Sequence, residues 1–159
     1  MVVILYSIRS LHNVGSIFRT ADAAGVEKLC LCGITPAPVD IFGKPRQQLA
    51  KVSLGGEKYV KWEKVKSATR IIDKLKKDNY KIFAIEQNKK SIPYSNIKRS
   101  PNLRVEKLAL ILGNEIKGLP ASILKRADKI LEIPMRGKKE SLNVAVAFGI
   151  VVFHLNLIK

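Results

Sequence analysis

Short apolar runs recur along this chain and alternate with segments whose apolar residues return at helical spacing. The runs are Val2–Tyr6, Lys28–Cys32, Lys81–Ile85, Leu108–Leu112 and Ile130–Ile133, with a more polar candidate at Lys58–Trp62. A strand with no polar face must be buried on both sides, which is the condition of a parallel sheet. Between the runs, Val14, Ile17, Phe18 and Ala21 predict a helix with Asn13 as N-cap and Gly25 as its stop. Ala68, Ile71, Ile72 and Leu75 predict a second helix over Val65–Lys77, and Leu142–Leu157 a closing helix capped by Ser141. Shorter helices are expected at Arg46–Val52 and, after Pro120, at Ala121–Ala127. Pro36–Gly56 is otherwise loop, and Ile92–Arg104 is a basic loop with Pro93 and Pro101. The alternation predicts an α/β fold, a mostly parallel sheet with helices on both faces. No repeat, linker or low-complexity segment interrupts it, so residues 1–159 read as a single domain.

Lys and Arg number 29 against 13 for Asp and Glu, a formal charge of +16. Such an excess points to a polyanionic partner, because clustered cations release counterions from a phosphate backbone. A lysine-biased composition is the plainer explanation, since 21 of the 29 are Lys. The scarcity of acids favours nucleic acid all the same. Cys30 and Cys32 alternate on one strand face, too close in sequence for a usual disulfide, and no Cys/His cluster suggests a metal. They read as buried free thiols in a reducing cytoplasm. The first residues lack a charged leader pattern, and the apolar run Val144–Phe153 is too short to span a bilayer. A cytoplasmic protein without a membrane partner is expected.

Three junctions carry the polar residues that matter. They are Asn13-Val-Gly-Ser-Ile-Phe-Arg19-Thr-Ala-Asp-Ala-Ala-Gly25, Leu110-Ile-Leu-Gly113-Asn-Glu115-Ile-Lys-Gly118-Leu119 and Ile133-Pro-Met135-Arg136-Gly-Lys138-Lys139-Glu-Ser141-Leu142-Asn143-Val-Ala145. Each sits at a strand or helix end, where open α/β sheets bind ligands. Tyr6–His12, after the first strand, contains no glycine, so a dinucleotide fingerprint is absent there. Arg19 lies four residues after Gly15, so both share a helix face on which the missing side chain leaves room for a ligand. The plainer reading of Arg19 is a surface ion pair with Asp22. Asn13 and Ser141 have capping as their plain reading, and Glu115 a solvated turn carboxylate.

In order and spacing, the three segments resemble the motifs of the SpoU-like (TrmH-type) RNA 2′-O-methyltransferases of the SPOUT superfamily. The resemblance spans nearly the whole chain and implies a C-terminal trefoil knot, S-adenosylmethionine as cofactor and no metal. It implies that Gly113, Ile133 and Leu142 hold the adenosyl group, with Gly118 and Met135 in the same loops and Glu86 near the ribose or methionine end. It puts Arg19 at the catalytic position, with Asn13, Glu115, Ser141 and Asn143 around it. A guanidinium stays protonated in proteins, so binding a neighbouring phosphate and easing alkoxide formation suits Arg19 better than general-base work. Glu115 is expected to hold Arg19 or fix the site.

Val144–Phe153 is apolar all round, which calls for a second covering surface, and a homodimer through this helix is expected. Ala145 and Val152 are the expected interface positions. RNA contacts are expected from Lys44, Arg46, Lys51, Lys98, Arg99, Arg104, Arg136, Lys138 and Lys139, with tRNA favoured over rRNA. With twelve residues before Asn13, the chain looks like a catalytic domain without a separate RNA-binding domain. The alternatives are a knotted methyltransferase acting on a base nitrogen and a non-catalytic RNA-binding module.

Overall fold

The computed structural model describes residues 1–98 and 107–157. In chain order the elements are β1 (Val2–Tyr6), α1 (Leu11–Ala23), β2 (Lys28–Cys32), α2 (Gln47–Ser53), α3 (Gly56–Tyr59), β3 (Lys61–Val65) and α4 (Ala68–Lys77). After these come β4 (Lys81–Ile85), β5 (Ile92–Pro93), β6 (Leu108–Leu112), α5 (Ala121–Leu124), β7 (Lys129–Glu132) and α6 (Val144–Leu157). The strands form one seven-stranded sheet in the order β3-β2-β1-β6-β4-β7-β5. Every pairing is parallel.

Alternation along each strand divides the core into two layers. Val3, Leu5, Leu29, Leu31, Phe83, Leu110 and Leu112 meet Ile17 and Phe18 of α1 and Phe148, Val151, Val152 and Leu155 of α6. On the other face Val2, Ile4, Cys30, Cys32, Ile82, Ala84 and Ile111 meet Ala68, Ile72 and Leu75 of α4 and Ile123 of α5. Each fully buried Val, Leu, Ile or Phe contributes about 1.5–3 kcal/mol from apolar area removed from water. The thiols share one face, as their spacing requires. Burial pushes Cys30 up to about 12 and Cys32 up to about 11, so neither serves as a thiolate nucleophile.

Several boundaries differ from the sequence expectation. The third strand runs over Lys61–Val65 rather than Lys58–Trp62, and Val65 is strand rather than helix. Gly56–Tyr59 is taken up by a helical turn that Gly56 docks on α1, where a Cβ would lie 2.9 Å from the Phe18 carbonyl oxygen. Lys28 Nζ then pairs with Glu63 at 2.9 Å, a cross-strand contact that fits the observed register of β3 on β2. Ser10, not Asn13, caps α1: its Oγ accepts from the Asn13 amide at 3.2 Å. At α6 the cap is Asn143, not Ser141. Its Oδ1 accepts from the Ala145 amide at 2.8 Å, and the helix starts at Val144.

Strand order sets the location of the site. From β1 the chain goes to β2 and β3, then returns to build β4 beyond a slot that β6 fills. Successive connections therefore leave in opposite directions around β1 and β6, and loops at their C-terminal ends open a crevice.

Candidate active site

At the C-terminal ends of β4, β6 and β7 lies a cleft of about 260 Å³. Its apolar walls include Ile85, Leu112, Leu131, Ile133, Met135 and Leu142. Its polar lining includes Glu86, Gln87, Asn114, Glu115, Glu132 and Ser141, and among the described residues no Lys or Arg lines it. In a chain with more than twice as many bases as acids, a cleft with three carboxylates and, among the described residues, no cation is a local inversion of charge. Such a surface attracts a cationic, largely apolar ligand and repels phosphate. Every residue expected at the cofactor, namely Glu86, Gly113, Gly118, Ile133, Met135 and Leu142, lines this cleft.

At its mouth three segments meet through side chains. Asn13 Nδ2 donates to Glu115 Oε1 at 3.0 Å, and Asn143 Nδ2 donates to Asn13 Oδ1 at 3.0 Å. Ser10 has taken over the capping, which leaves the Asn13 side-chain amide free for this link. Glu115 also accepts from the backbone amides of Arg9 at 3.2 Å and Ser10 at 3.5 Å. It therefore anchors the start of α1 and does not bond Arg19. Desolvation raises the Glu115 pKa, but the bonds from Asn13 and the backbone amides outweigh it and hold the group below its ordinary value.

The loop after β6 is held just as closely. Asn114 Nδ2 donates to the Ser7 carbonyl at 2.7 Å, tying this loop to the turn after β1. Glu86 accepts from the Leu119 amide at 2.8 Å and the Gln87 amide at 3.0 Å. A Cβ on Gly118, which has φ +62°, would lie 2.3 Å from the Glu86 carboxylate. A Cβ on Gly113 would lie 2.6 Å from the Gly118 backbone, so the protein's own loop requires the bare Gly113. Gln87 Nε2 donates to the Glu140 carbonyl at 2.6 Å and joins β4 to the loop before α6. Asn114 and Gln87 were not among the expected site residues. Asn114 lies within the second of the three junctions, whereas Gln87 has no local sequence signal.

Arg19 lies elsewhere. It is exposed and lines a second, broader cleft with Arg9, His12, Gln48 and Lys51. Six residues along α1 from Asn13, it sits about 9 Å up the helix and on a different side. Among the described residues it makes no ion pair with Asp22. The space beside Gly15 is filled by α2, since a Cβ there would meet the Leu49 carbonyl oxygen at 2.7 Å. The remaining cations are spread over the surface. Lys44, Lys51, Lys98, Arg136, Lys138 and Lys139 are exposed and Arg46 is half-buried, while Arg99 and Arg104 lie outside the described residues.

An all-parallel sheet with a lined crevice at its switch point defines a doubly wound, ligand-binding α/β protein. The chain belongs to the SpoU rRNA Methylase family, whose model matches residues 1–153. It is 34% identical over 97% of its length to the Bacillus subtilis protein named 23S rRNA (guanosine(2553)-2′-O)-methyltransferase RlmP, covering 57% of that protein. It is 31% identical over 98% of its length to the tRNA (guanosine(18)-2′-O)-methyltransferase of Borreliella burgdorferi, covering 65% of it. Thus the chain spans less than two thirds of the length of these curated relatives. An AdoMet-bound rRNA methyltransferase from Sinorhizobium meliloti superposes with TM-score 0.82 at 27% identity, covering 98% of this chain and 55% of that one.

Proposed function

We propose that this chain methylates a ribose 2′-hydroxyl of RNA, with S-adenosylmethionine as methyl donor. The carrying observation is the separation of charge: an acidic and apolar cleft beside a second cleft lined by Arg9, Arg19 and Lys51. The first suits a cofactor with a flat aromatic base and a sulfonium, and the second suits a phosphodiester. The fit is also chemical, since Ile133 and Leu142 offer apolar walls to adenine while Glu86, Glu115 and Glu132 face positive charge. When bound, the cofactor supplies an electrophilic methyl group whose transfer to a ribose oxygen leaves a neutral thioether.

The chain's own residues orient and stabilise. Glu115 and Asn143, joined through Asn13, fix the cleft mouth where the ribose must approach. Ser141 presents a hydroxyl on the cleft wall. Arg19 binds the phosphate next to the reacting nucleotide, which lowers the cost of negative charge on O2′, and that phosphate or solvent takes the proton. A homodimer through α6 brings the Arg19 cleft of one subunit toward the other's cofactor cleft. Exposed Val146, Phe153 and Leu157 on α6 support this. We also propose the trefoil knot, formed where the loop after β6 and the loop before α6 cross. The β6-β4-β7 order, which sends the chain from β6 past β4 to β7, supports it. As to target, tRNA is favoured over rRNA, and relatives with both names exist.

Calorimetry with S-adenosylmethionine and S-adenosylhomocysteine tests the cofactor part. Binding in the micromolar range at one site per subunit is expected; absence of heat with both, on folded protein, removes the methyltransferase reading.

A further inference from the structure

The loop between β2 and α2 ends in a turn that holds two large apolar side chains in water. Ile41 is 89% exposed and Phe42 80%. The turn is rigidly built. The Asp40 amide donates to the Lys44 carbonyl at 2.9 Å, and Asp40 Oδ1 accepts from the amides of Phe42 at 2.8 Å and Lys44 at 2.9 Å. Gly43 takes φ +77°, and Val39 bridges Pro45 in antiparallel fashion. The Phe42 ring is thus presented from a fixed base.

Its surroundings select the occupant. Lys44 is exposed beside it, and Arg46 follows with a buried Nε that has no hydrogen-bond partner among the described residues. Lys64 is near enough that, after burial, the Arg46 charge helps to lower its pKa. The turn's own acid, Asp40, has one oxygen committed to two amides. A projecting aromatic ring two residues from exposed Lys44 and four from a guanidinium with an unpartnered donor fits an unpaired nucleobase and its phosphate. Every base has a π-face to stack, and a guanidinium fork takes the phosphodiester. From this turn α2 runs for seven residues, about 10 Å, toward the cleft that Gln48, Lys51 and Arg19 line.

We infer that Phe42 stacks on an unpaired base of the bound RNA while Arg46 takes a phosphate beside it, a few nucleotides from the reacting ribose. This rests on RNA being the substrate.

Phe42→Trp and Phe42→Ala test it, with a single-stranded oligoadenylate and bulk tRNA as probes. Wild-type protein, whose one Trp is the half-buried Trp62, serves as the fluorescence control. The Phe42→Trp signal should quench on adding RNA well beyond any change in wild type. Phe42→Ala should weaken RNA binding by roughly 5- to 100-fold, with unchanged circular dichroism and S-adenosylhomocysteine affinity. Arg46→Gln should flatten the salt dependence by about one phosphate contact. If wild type binds RNA but Phe42→Ala binds equally well and Phe42→Trp is unquenched, the inference is overturned and the proposed function stands. A Phe42→Ala change in sedimentation without a change in RNA affinity would assign the tip to a protein contact and overturn it too. Wild type that binds no RNA would remove the RNA reading itself, and this inference with it.

Discussion

Asn13 joins three segments far apart in sequence, donating to Glu115 and accepting from Asn143. Asn13→Ala should leave α1 capped by Ser10 and slow methyl transfer by ~100-fold through misplacement of the cleft mouth, read as kcat at saturating cofactor. Arg19→Ala should keep cofactor affinity and lose ~100-fold or more in transfer, as removed transition-state stabilisers do. Arg19→Lys should also be poor, because a point charge lacks the planar fork. Near wild-type turnover of Arg19→Ala would remove its assigned role. Glu115 has a lowered folded pKa, so its contribution to stability is present above its ordinary value of 4.5 and lost as pH falls through the folded value. Glu115→Gln should therefore show a smaller drop in thermal midpoint than wild type on acidification below about pH 4.5. Asn13 stands out in the sequence as a polar residue at a junction, but its actual bonds do not. Asn and Ser both cap helices, and the choice fell to a carboxylate 102 positions away.

Among elements, α6 tests the proposed subunit contact. Its outward side carries Val146 and Phe153, 51% and 47% exposed, whereas Val152 is fully buried in this chain's own core. Asp at Val146 and Phe153 should split the proposed dimer in sedimentation and lower activity while each subunit stays folded. Asp at Val152, the position expected from sequence, should instead unfold the protein by stranding a charge in the core. An all-apolar helix announces two covered sides without saying which residues face which. The β1, β2, β4 and β6 runs were legible because both faces are buried. β3 was misplaced by three residues because a polar edge strand has no such run, and the Gly15 space was misassigned because the crossing of α2 is invisible in α1.

For the whole molecule, the formal charge is +16, yet among the described residues no Lys or Arg lines the proposed cofactor cleft. Glu at both Lys138 and Lys139, exposed in the loop before α6, should weaken RNA binding and reduce its salt slope by about two phosphate contacts, leaving the proposed dimer unchanged. The most direct measurement is to incubate the protein with methyl-labelled S-adenosylmethionine and RNA from a strain lacking its gene. The RNA is then digested to nucleosides and the label located by mass spectrometry. The account predicts label on the ribose 2′-oxygen of one nucleoside, lost in Arg19→Ala; label on a base, or none above a no-enzyme control, would contradict it.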